Sequence, residues 1–466
     1  MMSRNTLFAV FAVLPVLAAC TASAFYERPE VIPPPAFVET KEWKVGEPRD
    51  HLPRSKWWEL FGDPLLNALQ ERVTVSNQTI RVAEAQYRQA QALVQSTRAG
   101  AFPSLSGGLS SVSNQVSTGQ TLSLGASWEL DLWGRVRRLA EASEAGAQAS
   151  AADLESVRLS AHAALTQNYF LLRIADAQKR LLNDTVAAYR KTLQLTRNRY
   201  AAGVAAKADV IQAQTQLKTT QAQAIDLDVQ RAQLEHAIAL LIGKAPATFS
   251  ITQARIREPL PAIPPGVPSE LLERRPDIAA AERRVAAANA QVGAAKSAFF
   301  PTFTLTASGG FQSESLANWF ALPNRIWSIG PAIAQSLFDG GLKKAQSDQA
   351  IAAYDASVAA YRQTVLASFM EVEDNLAALR ILEQESLAQN EALQSARHSL
   401  ALVTNQYTAG AVSYLNVVTA QAAVLAGERN ATEILGKRLT ASVLLIKALG
   451  GGWSTATQPE TARPAN

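Results

Sequence analysis

The chain runs to 466 residues, enough to bury several domains' worth of surface, and only 18% of them are charged, below the ~25% usual for soluble proteins. Lys and Arg exceed Asp and Glu by 44 − 40 = 4, and the basic residues are spread along the chain, which excludes the clustered footprint of a nucleic-acid binder. His51, His162, His236 and His398 stand too far apart for metal-ligand spacing, and no phosphate-cradling glycine loop or nucleophile elbow occurs, so neither a metal site nor an enzyme is predicted.

Residues 1–20 read MMSRNTLFAVFAVLPVLAAC: a basic start, a short apolar run, then small residues. That pattern predicts a secretory signal peptide over 1–19, too short to span a bilayer as a helix. Cys20 is the only cysteine, so no intrachain disulfide can form. The ending LAAC resembles the box of bacterial lipoproteins, in which the signal is cut before the cysteine and that cysteine carries lipid. Thr21, in place of Asp, implies by the rule of that class sorting to the outer membrane. A lipidated, extended segment is expected over 20–60, with Pro33, Pro34, Pro35, Trp57 and Trp58 laid along the body. The covalent lipid is the only non-protein group expected.

A helical stretch follows at 64–98, then Pro103, then alternation. In TLSLGASWELDL (121–132), Leu122, Leu124, Ala126, Trp128, Leu130 and Leu132 alternate with Thr121, Ser123, Gly125, Ser127, Glu129 and Asp131. Period two predicts a strand. A very long helix is expected over 136–200, on the order of 100 Å at 1.5 Å per residue. Leu172, Ala175, Leu182, Val186, Tyr189, Leu193 and Tyr200 form a 3/4-spaced seam along it, with Lys179 and Thr196 as gaps, which predicts coiled-coil packing. A returning helix is expected over 206–242. Gly203 stands between the two, where a glycine in the left-handed conformation ends a helix.

A proline-rich connector at 246–268 leads to a second half on the same plan. It has a helix at 269–298, Pro301, alternation at 302–311 and 327–333, and helices at 343–407 and 413–449 turning at Gly410. Leu379, Leu382, Leu393, Ala396, Leu400, Val403 and Tyr407 repeat the seam. YTAGAVSYLNVVTAQ (407–421) echoes YAAGVAAKADVIQAQ (200–214) at an offset of 207, FFPTFT (299–304) echoes AFPSLS (101–106), and FDGGLKK (338–344) echoes LWGRVRR (132–138). The chain thus reads as a tandem duplication, 61–245 and 269–452, ending in a disordered tail at 453–466.

The strands are about ten residues long, with one apolar face and one small, mostly uncharged face. That suits a tilted strand crossing a bilayer, with Trp128, Trp133 and Trp327 as candidates for an aromatic girdle. About four strands per chain cannot close a barrel, and an open edge is not viable in lipid. The count predicts that other copies of the chain complete the sheet.

The stretch VPSELLERRPDIAAAERRVAAANAQVGAAKSAFFPTFTL (267–305) closely resembles the signature of outer membrane factors, the TolC-like exit ducts of bacterial tripartite pumps. SWELDLWGRVRR (127–138), the two Tyr-x-x-Gly turns and LAAC resemble its NodT-type lipoprotein branch. The resemblance covers essentially the whole mature chain. It implies a mainly α fold with a transmembrane β-barrel part. That fold is a homotrimeric duct with four strands per chain in a twelve-stranded barrel, continued by a long coiled-coil helical tunnel. It implies small-molecule efflux, with a periplasmic adaptor docked on the helix turns and an inner-membrane transporter of the RND type behind it, and contact with outer membrane lipid. Residues matching the docking tip are Tyr200, Gly203, Asp209, Tyr407, Gly410 and Asn416; Leu415 and Thr419 match the aperture. Thr419 stands where relatives carry an Asp, which weighs against an acidic ring, and helix capping is the plain alternative for Asp209. The rival functions are a duct for type I protein secretion and a lipid-anchored structural coiled-coil protein that conducts nothing.

Overall fold

A computed structural model of the protein describes residues 26–27, 29, 54–113, 118–256 and 275–451; the signal peptide, Cys20, most of 20–60 and of the connector, and the tail expected from the sequence lie outside these. The elements are α1 (Pro64–Ser76), α2 (Gln78–Ala99), β1 (Ser104–Ser113), β2 (Thr118–Leu130), α3 (Arg135–Ala201), α4 (Lys207–Leu241), α5 (Pro276–Ser297), β3 (Thr302–Ser313), β4 (Arg325–Ala334), α6 (Leu342–Thr408) and α7 (Tyr414–Ala448), with short 3₁₀ turns between some of them. No helix among the described residues is long and apolar enough to cross a membrane. The fold is mainly helical with one small sheet, as expected, and the four long helices begin and end within a residue of the ranges read from the sequence.

Several expectations change. The helix expected over 269–298 starts at Pro276 among the described residues, with Arg275 outside it, as suits a proline in a first turn. The helix expected over 64–98 is two helices broken at Asn77. The Asn77 carboxamide oxygen accepts the Ile80 amide at 3.0 Å, starting α2, and its nitrogen donates to the Leu241 carbonyl at 2.8 Å. The segment around Trp57 and Trp58 is a 3₁₀ turn (Arg54–Phe61) with both indoles buried, so it is coiled and packed rather than extended. Trp58 stacks on His162 at 4.4 Å between centroids, and burial holds that imidazole down to about 4.

Two of the three echoes in the sequence turn out to be matched starts. β1 and β3 each begin directly after their proline, Pro103 or Pro301. The other echo begins a 67-residue helix twice. Asp131 accepts the amides of Val136 and Arg137 at 3.0 and 2.9 Å, with Gly134 at φ +76° before them. Asp339 accepts those of Gly341 and Lys343 at 2.9 and 3.3 Å. Leu132 therefore falls past the end of β2, because Asp131 has already turned the chain into a helix cap.

Compactness does not follow the repeats: two compact units each draw on both halves. One, including 84–153 and 277–364, holds the sheet. Its four strands are antiparallel in the order β1-β2-β3-β4, so β1 and β4 are edges. Register aligns one apolar face across all four: Leu109 with Leu122, Leu122 with Phe311, Trp128 with Leu305, Phe303 with Ile333. The opposite face is mostly hydroxyl-bearing or small, with Ser127 beside Thr306 and Ser308 beside Ser328, and Val112, Gln312 and Ile326 at its far end. Its only ionisable side chain among the described strand residues is Glu129, held by Arg135 at 2.6 and 3.0 Å. The indole N–H groups of Trp128 and Trp133 donate to the carbonyls of Ala101 and Pro301 at 2.9 and 2.7 Å.

The other unit, including 154–256 and 365–451 among the described residues, packs α3, α4, α6 and α7 together. Val186, Tyr189, Leu193, Ala213, Leu217, Tyr407, Tyr414 and Val417 form one core cluster, and Leu182, Ala224 and Leu425 another. The seam is as the spacing predicts up to Leu193. Thr196, expected as a gap, is fully buried and returns its hydroxyl to the Thr192 carbonyl at 3.0 Å, the usual way a helix hides a threonine. Lys179 leaves the seam by reaching the Ala224 carbonyl at 2.5 Å and Asp228 at 2.7 Å on α4.

Candidate functional site

The two helix turns lie in the same compact unit. The first turn ends α3 as its sequence demands. Gly203 adopts φ +73°, its amide donates to the Tyr200 carbonyl at 3.0 Å, and the Val204 amide donates to the Arg199 carbonyl at 2.8 Å. That pair of bonds is the Schellman ending, which only glycine enters without strain. The second turn repeats it. Gly410 at φ +83° donates to the Tyr407 carbonyl at 3.0 Å, and the Ala411 amide donates to the Gln406 carbonyl at 2.9 Å.

The helices that follow start differently. Asp209 is the third residue of α4, and its Oδ2 accepts the Ala206 amide at 3.4 Å while its own amide donates to the Ala206 carbonyl at 3.1 Å. The carboxylate therefore caps the helix and favours its dipole. Asn416 holds the same place in α7, where its amide donates to the Ser413 carbonyl at 3.2 Å, and it is exposed. Leu415 and Thr419 lie exposed on the same helix, with the Thr419 hydroxyl returned to the Leu415 carbonyl at 3.0 Å.

The two tyrosines of the matched turns separate. Tyr407 is 5% exposed and packs in the core; Tyr200 is 46% exposed and leaves the seam the spacing had put it in. The reason lies in residues that the repeat does not match. Tyr407 lies 5.4 Å from Tyr414 and under Arg199, whose guanidinium sits 4.8 Å from the ring centroid and donates to the Thr408 carbonyl at 3.1 Å. Arg199 thus ties the end of the first turn to the second, by a cation–π contact and a hydrogen bond. The signal was present at the repeat offset: Arg199 faces Gln406, and Tyr414 faces Lys207. Burial beside Tyr407 pushes the Tyr414 phenol up to about 12, so it stays neutral at any physiological pH. Around this neutral core Tyr200, Val204, Ile211 and Leu415 are large apolar side chains left exposed. The arrangement can bind an apolar surface and can hold or release a contact between turns.

A profile of the family described as "Outer membrane efflux protein" matches residues 69–244 and 267–451. The solvent efflux pump outer membrane protein SrpC of Pseudomonas putida is 31% identical over 468 residues, covering 96% of this chain and 98% of that protein. The solved outer-membrane channel OprN superimposes with a TM-score of 0.86 at 30% identity, covering 93% of this chain and all of that one. The open state of the MtrE outer membrane channel of Neisseria gonorrhoeae gives 0.81 at 29% identity, covering 94% of this chain and all of that one.

Proposed function

We infer that this chain, which belongs to the outer membrane efflux protein family, is the passive exit duct by which an efflux pump discharges small molecules across the outer membrane. The observation that carries this is the sheet: one face apolar up to Arg325 at its far end, one hydroxyl face whose single carboxylate, Glu129, is held by Arg135, and two strand edges without partners among the described residues. An apolar face suits lipid, a hydroxyl face keeps solutes and water hydrated, and unpaired edges in hydrocarbon require another copy to pair them. Three copies would close twelve strands. Relatives named for solvent, toluene and antibiotic efflux support apolar or amphiphilic toxic compounds as cargo. No residue performs a reaction; the protein's work is to hold a path open or shut.

The exposed apolar side chains at the turns support docking of a periplasmic adaptor there, with Tyr200, Gly203, Asp209, Tyr407, Gly410 and Asn416 shaping the tip and an inner-membrane transporter of the RND type behind the adaptor. Leu415 and Thr419 form the aperture in this reading. Replacing Tyr407 and Leu415 together with alanine will raise single-channel conductance in planar bilayers and antibiotic uptake in cells; unchanged values in both would remove the tip as the gate.

Cys20 carries the lipid that anchors the mature amino terminus. Cys20→Ala will abolish incorporation of labelled palmitate, and retained label would place the lipid on another residue.

A further inference from the structure

Both 67-residue helices begin with cations: Arg135, Arg137 and Arg138 in α3, Lys343 and Lys344 in α6, with no acid in either first turn. The helix dipole disfavours positive charge at that end, so a choice made twice implies something outside the helix that offsets it. Carboxylates of the same unit account for part of the charge. Glu129 holds Arg135, and Glu141 holds Arg138 at 2.8 Å. Arg137 is held more loosely: its side chain is 65% exposed and pairs at 3.6 Å with Asp131, a carboxylate that already caps the helix. Lys344 is exposed and Lys343 half-buried, and neither has an ion pair among the described residues.

These cations border the helix-proximal ends of the strands, where Phe102, Leu132, Phe299, Leu337, Phe338 and Leu342 are exposed. That apolar rim continues the apolar face of the sheet along the chain. The far ends of the strands carry one cation, Arg325. Apolar side chains beside two lysines without an ion pair among the described residues and an exposed arginine held only at 3.6 Å, at one boundary of a lipid-facing sheet, match a leaflet with anionic headgroups. A second copy is the other conceivable cover. Beside its β1 stand Phe102 and Arg98, and the carboxylate there, Glu144, is already taken by Arg98 at 2.6 Å, so it is not free for the lysines of a neighbour.

We propose that Arg137, Lys343 and Lys344 form a belt that binds anionic phospholipid headgroups in the periplasmic leaflet of the outer membrane. The proposal rests on the reading of the sheet as a membrane barrel. The test uses the full chain in nanodiscs of phosphatidylcholine mixed with phosphatidylglycerol, with retained lipid measured by native mass spectrometry and conductance measured in parallel. The wild type will enrich phosphatidylglycerol over the bulk mixture, and high salt will erase the enrichment. Each cation replaced, in Arg137→Gln, Lys343→Gln and Lys344→Gln, will lower the preference about five-fold, while the triple variant keeps its conductance. Equal enrichment by wild type and triple variant overturns the proposal. So does an oligomer that falls apart in pure phosphatidylcholine once the cations are gone, which would assign the belt to a neighbouring copy. A wild type that enriches the lipid yet conducts nothing would sink the duct and leave the belt standing.

Discussion

Replacing Asp176 with alanine will destabilise the chain by about 3–5 kcal/mol, the cost of leaving buried charge without its partner. The Asp176 side chain is fully buried. It accepts from Arg173 at 3.0 Å and from Arg231 at 2.9 Å, and its Oδ2 also accepts the Ala254 amide at 3.3 Å. Arg173 is buried too. It donates to the Thr252 carbonyl at 2.9 Å and lies 4.9 Å from the Tyr169 ring, with no other carboxylate bound to it among the described residues. Arg231 turns to Glu235 at 3.1 Å, donates to the Ile251 carbonyl, and Glu235 in turn accepts the Ile251 amide. The network fastens the segment after α4 onto α3 and α4. Thermal unfolding in detergent will register its loss as a large fall in transition temperature. The exposed Lys56–Glu71 pair provides the contrast, since Lys56→Gln will leave the transition where it was. A small fall for Asp176→Ala, like that for Lys56→Gln, would mean that water reaches the network.

Two neighbouring glycines on β3 separate packing from propensity. A side chain at Gly310 would overlap the Leu122 carbonyl oxygen and sit 2.9 Å from the Ser123 Cα, both backbone atoms of the paired strand. A side chain at Gly309 meets nothing within 4 Å. Gly310→Ala will therefore pry β2 from β3 at an estimated cost of roughly 1–3 kcal/mol or more, enough in a sheet that must close with other copies to abolish heat-modifiable oligomers on unboiled gels. Gly309→Ala will leave them intact. If both variants assemble alike, the close approach of β3 to β2 is not what the barrel depends on.

The long helices were legible because their signal is long and redundant: a seam spaced by three and four over dozens of residues, ended by Gly203 and Gly410 in conformations few other residues accept. β2 was legible because it alternates without error. β1 (SLSGGLSSVS) was counted but not delineated, because small residues on both faces give little contrast. The break at Asn77 was hidden because asparagine is tolerated inside helices, and its role depends on a carbonyl 164 positions away. The Asp176 network is invisible for the same reason: Arg231 is 55 positions from Asp176, and no local pattern joins them. At the turns, the aligned repeats gave the glycines and the Asp209/Asn416 asymmetry. Tyr200 and Tyr407 looked equivalent because their neighbours along the chain are alike; Arg199 and Tyr414, which have no counterparts at the offset, make them different.

The duct itself is tested most directly by single-channel recording from purified oligomers whose insertion into a planar bilayer is verified independently. The account predicts stepwise, ohmic current without any energy source, larger in the Tyr407→Ala/Leu415→Ala variant than in the wild type. Verified oligomers that pass no current in either form would contradict it.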